Sequence, residues 1–228
     1  MPTGDERVRM ESDEIGLEQA YGVETPDDNR RLYAKWAATY EARFVDARRY
    51  RYPRAIAELF DTVVPTHGIA EVADIGTGTG LVGLYLTALR PHLVVDGFDI
   101  APEMLAMAAQ KRRSAGTPCY RSLYERDLTQ AVLDTNTPFD AVISAGTFTH
   151  GHLGPEALSN IVPLARPGGH FVIGANAEHF EMKQFDRHLQ QLVDGGAISA
   201  PTYERIQVYE VGSPHFGDQA VVSLFQRV

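Results

Sequence analysis

Cysteine is almost missing from this chain of 228 residues: Cys119 stands alone. No intrachain disulfide can form and no cysteine-rich metal site exists. Positive charge is also short, with 21 basic against 30 acidic residues and a net charge of −9. A surface built for phosphates is therefore not indicated, and the one basic cluster, Arg48, Arg49, Arg51 and Arg54, reads as the solvated face of a helix. No apolar run approaches the ~20 residues that cross a bilayer. The N-terminus is polar and acidic and has no apolar signal region, which reads as a cytoplasmic chain. Histidine pairs are scarce too: His150 and His152 have no nearby third ligand, a weak case for a metal.

What is present is ordinary in bulk and specific in detail. Apolar residues make up 44% and charged residues 22%, the usual balance of a water-soluble α/β domain. Residues 70–80, Ala-Glu-Val-Ala-Asp-Ile-Gly-Thr-Gly-Thr-Gly, run from an apolar strand through Asp74 into Gly76, Gly78 and Gly80, then into an apolar helix. That geometry presents backbone N–H groups and a helix N-terminus to a small ligand. The dinucleotide pattern G-x-G-x-x-G would need a glycine at 81, where Leu81 stands. A carboxylate at Asp74 suits a cationic amino-acid end better than a pyrophosphate, and this points to S-adenosylmethionine.

Strand-like runs at 70–75, 93–98, 118–123, 139–145 and 169–175 alternate with helical patterns. The alternation predicts a mainly parallel sheet with helices on both faces. Runs at 203–211 and 219–227 leave no room for a crossover helix, so they pair antiparallel at an edge. Helices are expected from Arg31, from Pro53, over 102–113 with Lys111, Arg112 and Arg113 in its last turn, and over 178–193. Residues 1–30 read as a partly disordered extension. Residues 31–228 read as one domain, with 31–65 as a helical lid.

Ligands in such sheets bind outside the carboxyl ends of strands. The second strand ends at Asp99, a carboxylate placed to accept ribose hydroxyls. The third ends near Asp127 and Leu128, and the fourth at Ser144 and Ala145, small residues that permit close approach. As an ordered set, Val-Ala-Asp-Ile-Gly-Thr-Gly-Thr-Gly, Gly-Phe-Asp-Ile-Ala-Pro-Glu-Met-Leu, Asp127-Leu128, Phe139–Ser144 and Leu164–Gly169 resemble the class I S-adenosylmethionine-dependent methyltransferases. The likeness covers about residues 55–228. Leu-Tyr-Ala-Lys-Trp-Ala-Ala-Thr-Tyr at 32–40 resembles the N-terminal helix of small-molecule members, such as the ubiquinone/menaquinone-biosynthesis type and the methyltransferase-like proteins of the Williams–Beuren region.

The resemblance implies a Rossmann-like seven-stranded α/β sheet with an antiparallel C-terminal edge hairpin. It implies Gly76 and Gly78 at the methionine portion, Asp74 at its amino group directly or through water, and Asp99 on the ribose with Ile100 beside the adenine. Asp127 and Leu128 would meet the adenine amine and ring, Ser144 or Ala145 would lie under the methyl donor, and Tyr33, Trp36 and Tyr40 would form a lid. The family's Asn/Asp-Pro-Pro-Tyr signature for nitrogen methylation of DNA or glutamine is missing after the fourth strand.

The loop at 146–152 lies where an acceptor would enter, and His150 is the expected base or positioning group. The expected partner is a small-molecule methyl acceptor, without nucleic acid or membrane, and with a homodimer left open. Plainer roles stand beside each assignment: Asp99 as a helix cap, Asp127 as a loop cap, Trp36 and Tyr40 as packing. Two other functions also stay open. One is an NAD(P)-dependent oxidoreductase, against which no Tyr-x-x-x-Lys pair occurs. The other is a non-catalytic cofactor-binding sensor.

Overall fold

The computed structural model describes Val23, residues 25–130 and residues 138–228. The extension expected to be disordered lies, through residue 22, outside the described residues, as do residues 131–137 before the fourth strand. Seven strands form one sheet: β1 (Glu71–Ile75), β2 (Val94–Asp99), β3 (Tyr120–Glu125), β4 (Phe139–Phe148), β5 (Ala165–Asn176), β6 (Thr202–Gln207) and β7 (Gln219–Gln226). Their order is β3-β2-β1-β4-β5-β7-β6. The first five pair in parallel, and β7 pairs antiparallel with both β5 and β6. The expected parallel sheet with a reversed edge hairpin is what the chain forms.

Strand order reverses at β1, which has β2 on one side and β4 on the other. Register sets Asp74 opposite Gly97, and Ile75 opposite both Phe98 and Ser144. The carboxyl ends of β1, β2 and β4 therefore open into one crevice, where doubly wound sheets bind ligands.

Both faces of the sheet are buried, which is why these strands read as continuous apolar runs rather than alternating ones. On one face Ala73, Ile75, Val142 and Phe171 pack with Leu158, Ile161, Phe185 and Leu189. On the other Val72, Val95, Ile143 and Val172 pack with Ile56, Phe60, Val82 and Leu86. Cys119 is buried in this second cluster as a small apolar side chain.

Several helix limits differ from those the sequence suggests. Helix α1 spans Pro26–Tyr40, five residues earlier than Arg31. Thr25 and Asp28 form a reciprocal capping box and Pro26 fills a first-turn position, which starts the helix here. A π-helical turn, Glu41–Asp46, follows. Helix α2 is Tyr52–Val63 and α3 is Leu81–Leu89.

Helix α4 covers only Pro102–Ala108, so Lys111, Arg112 and Arg113 do not lie in its last turn. The chain instead doubles back through Gly116, with Arg113 N–H donating to Thr117 O and Cys119 N–H to Lys111 O. Lys111 is drawn to Glu41 at 2.6 Å. The stretch 178–193 forms two helices, α6 (Ala177–Met182) and α7 (Phe185–Asp194), separated where Gln184 adopts φ 54°. Helix α5 is Ala157–Ile161.

Three ionic clasps tie the sheet to its surroundings. Arg121 spans β1 to β3, bidentate to buried Asp96 and single to Glu71. Asp140 accepts the Ala70 and Glu71 N–H groups and pairs with Arg166. Arg90 is 3% exposed, and its guanidinium donates to Asp61 Oδ1 and to the carbonyls of Asp61, Val64 and Pro65. Those carbonyls end α2 and have no helical partner of their own.

Arg90→Met keeps the apolar stem over Phe60 and strips these bonds. Asp61 can rehydrate, so the cost is set by the carbonyls, each worth about 1 kcal/mol. Urea unfolding is expected to show a loss of about 2–3 kcal/mol with the far-ultraviolet dichroism unchanged.

Candidate active site

The glycine loop is held at both ends before any ligand arrives. Gly76 and Thr77 N–H both donate to Phe98 O, at 2.8 and 3.1 Å, which fastens the loop to the end of β2. Thr77 Oγ donates back to Asp74 O at 2.9 Å. Gly76 sits at φ +68°, and a Cβ there would fall 1.6 Å from Thr147 Oγ1. Only glycine fits both the backbone and the space.

Asp99 joins the first two loops. Its Oδ2 accepts Gly78 N–H at 2.7 Å and its Oδ1 accepts Ala101 N–H at 2.9 Å. Burial pushes its carboxyl upward, and the two N–H groups oppose that. The two roles meet in one side chain: Oδ1 takes the N–H of Ala101, the N-cap residue of α4, and the residue also lines the cavity.

Asp74 stands behind the cavity wall. It is fully buried and is not among the residues lining the cavity. Tyr120 OH donates to its Oδ2 at 2.6 Å and accepts Gly83 N–H at 3.0 Å. A Cβ at Gly83 would lie 2.4 Å from that hydroxyl, so glycine makes room for the link. Asp74 Oδ1 is buried with no hydrogen-bond partner. Desolvation raises its pKa to about 7, against a lowering by the Tyr120 hydroxyl.

A cavity of about 220 Å³ runs over the loop. One end is walled by Asp99, Ile100, Met104, Asp127 and Leu128, the other by Ala145, Gly146 and His152. Asp127 serves both readings at once: its Oδ1 accepts Thr129 N–H and Oγ, while the residue lines the cavity. Of the two small residues at the end of β4, Ala145 faces the cavity. Ser144 is fully buried and donates to Ile75 O at 2.8 Å, a tie between β4 and β1.

Helix α1 supplies the roof. Thr25, Asn29 and Tyr33 line the cavity, Arg30 Nε donates to Ile100 O, and Asn29 Nδ2 to Gly151 O, both at 3.4 Å. Tyr33 and Tyr40 line this cavity, whereas Trp36 lines a second, smaller one beside it.

The histidines divide as well. His150 lies in an open outer cavity with Asn176, Glu178 and Asp218, its ring 5.2 Å from that of His179. His152 stands on the wall shared by the inner two cavities. Its Nδ1 lies 2.8 Å from His150 O, which must be a donation from Nδ1–H, and this leaves Nε2 to accept Tyr33 OH at 2.8 Å. Burial lowers the pKa of His152, which keeps the ring neutral. Loop spacing places both histidines at one strand end and does not say which faces inward. Tyr120, Tyr50 and Asn29 were not singled out at all, because each is far in sequence from the motif it serves.

Among the described residues no group of histidine, cysteine and carboxylate side chains is arranged to hold a metal, and no helix is long and apolar enough to cross a membrane.

A sequence model of the methyltransferase-domain family matches residues 72–169, from β1 into β5. The chain is 34% identical over 105 residues to the demethylmenaquinone methyltransferase of Thermus thermophilus, covering 45% of each. It spans less than half the length of the curated relatives it matches. Among solved structures it resembles the [4+2]-cyclase SpnF (TM-score 0.64, 14% identity, 90% of this chain and 96% of that one). It also resembles the plantazolicin methyltransferase BpumL in complex with SAH (TM-score 0.57, 12% identity, 93% and 94%).

The Asp74 environment has a measurable signature. Its folded pKa near 7 lies above the unfolded value of about 3.9, so between them the folded chain holds a proton that the unfolded chain has lost. This contribution is complete below about pH 4 and disappears as pH rises through 7. Urea midpoints of the wild type should fall over that range, and Asp74→Asn should flatten the fall.

Proposed function

We propose that this chain, which carries a class I S-adenosylmethionine-dependent methyltransferase domain, transfers a methyl group from S-adenosylmethionine to a small-molecule acceptor. The observation that carries the reading is the single cavity in which the glycine loop, Asp99 and Asp127 meet.

The residues suit the cofactor in chemistry and shape. The Gly76 position admits no side chain, so a ligand can lie against backbone there. Gly76 and Gly78 are assigned to the methionine portion. Asp99, held in place by two backbone N–H groups, has lone pairs left for two ribose hydroxyls. Ile100 and Leu128 offer apolar surface for an adenine, and the remaining oxygen of Asp127 suits its amine. Asp74 Oδ1, buried and unpartnered, suits an ammonium group reached through an intervening water. Ala145 leaves open space at the methyl-bearing end.

When bound, S-adenosylmethionine supplies a methyl carbon already activated by its sulfonium. The protein's part is alignment and exclusion of water rather than a nucleophile of its own. Tyr33 and Asn29 close the cavity from above. Where an acceptor proton must leave, we assign Tyr33 and His152 to take it up together: the Tyr33 oxygen receives it as the Tyr33 hydroxyl proton passes to Nε2 of the neutral His152. His150 faces the outer cavity and is assigned to acceptor positioning.

Calorimetry with S-adenosylmethionine and SAH tests the donor half. Both are expected to bind, NAD is not, and Asp99→Ala is expected to weaken SAH by about 10- to 100-fold, the loss of hydrogen bonds to a charged acceptor. Unchanged SAH affinity in that variant, or tighter binding of NAD, overturns the assignment. Because the fold is shared with a [4+2]-cyclase, methyl transfer is read separately, as SAH release across an acceptor panel. His152→Ala is expected to slow that release at least tenfold while SAH affinity stays within about threefold.

A further inference from the structure

The second cavity, of about 60 Å³, opens to the donor cavity through Tyr33, Tyr40, Tyr50, Gly146 and His152, which line both. On its far side Asn176 and Asp218 also line the open outer cavity. It is therefore a slot between the donor site and solvent, and it is where an acceptor would pass.

Its walls are aromatic to an unusual degree. Tyr33, Trp36, Tyr40, Phe44, Tyr50 and Tyr209 line it. Their rings brace one another: Trp36 meets Tyr40 edge-on at 5.0 Å and Phe44 at 5.2 Å, and Tyr50 meets Phe44 at 5.1 Å and Tyr209 at 5.4 Å. Crossed rings of this kind turn some faces toward the space between them, and ring faces carry negative potential.

Among the described residues, Asp218 is the one carboxylate residue in the slot's lining, Glu178 joins Asp218 in the outer cavity, and no lysine or arginine lines either. Arg48 stacks on Phe44 at 5.1 Å without lining the slot, which shows one of these rings already attracting a cation. Among the described lining residues an anionic acceptor would meet ring faces and carboxylates, and a cation would be attracted by both.

We propose that the slot recognises a cationic amine or quaternary ammonium group on the acceptor, held by the aromatic walls and drawn in by Asp218 and Glu178. This rests on the methyl-transfer reading only for the word acceptor; the cation preference belongs to the slot itself and is read without turnover.

The test uses the full chain, free and SAH-loaded, titrated with choline, with its uncharged isostere 3,3-dimethylbutan-1-ol and with acetate. Choline is expected to bind about tenfold tighter than the isostere, and acetate not at all. Trp36→Leu is expected to bring choline and the isostere within twofold. Should that variant not fold, Asp218→Asn, altered at an exposed side chain, is expected to weaken choline two- to threefold and leave the isostere unchanged. Equal binding of the isosteric pair, tighter acetate, or no choline binding in the millimolar range overturns the proposal. SAH affinity in the same titrations reads the donor site alone, so failure of one assignment is distinguishable from failure of the other.

Discussion

The Asp99 carboxylate is the constraint on which the site depends. One oxygen holds Gly78 N–H in the loop after β1, the other holds Ala101 N–H in the loop after β2, and Phe98 O receives the N–H groups of Gly76 and Thr77. Two loops that would otherwise move independently become one surface. A charge is an effective clasp here, because hydrogen bonds to an ionised acceptor in a half-buried place are stronger than neutral ones. The same residue remains on the cavity wall, so the group that organises the floor is also the one offered to a ligand.

A second layer stands behind that floor. Asp74, Tyr120 and Gly83 form a buried chain from β1 through β3 to helix α3. An unpartnered carboxylate oxygen in the interior is costly, and the raised pKa expresses that cost. Over the cavity, the bonds of helix α1 among the described residues include Arg30 to Ile100 O, Asn29 to Gly151 O and the shorter Tyr33–His152 contact, and Ala37 packs with Ala101 and Met104.

Much of the architecture was legible because apolar periodicity and strand spacing are local signals. Five runs separated by helical patterns led to the parallel sheet, and the short connection before residue 219 led to the reversed edge. Helix limits were less legible. The capping box of Thr25 and Asp28 starts a helix inside the segment read as an extension, and the basic run at 111–113 looks like a helix end while Lys111 in fact answers Glu41 seventy residues earlier. Long-range pairing overrode local preference in that case.

The sequence by itself determined the order of strands and helices, the glycine loop after β1, and the carboxylates at the ends of β2 and β3. These follow from chain-local chemistry: the φ a residue can adopt, the face a side chain takes, the spacing from one strand end to the next. Only the tertiary structure decided which of neighbouring residues turns inward. It set Ala145 rather than Ser144 on the cavity, His152 rather than His150 beside Tyr33, Asp74 against Tyr120, and Trp36 in the adjoining slot. The physical reason is that orientation is settled by packing partners and bonds from distant segments, and sequence spacing carries no record of those.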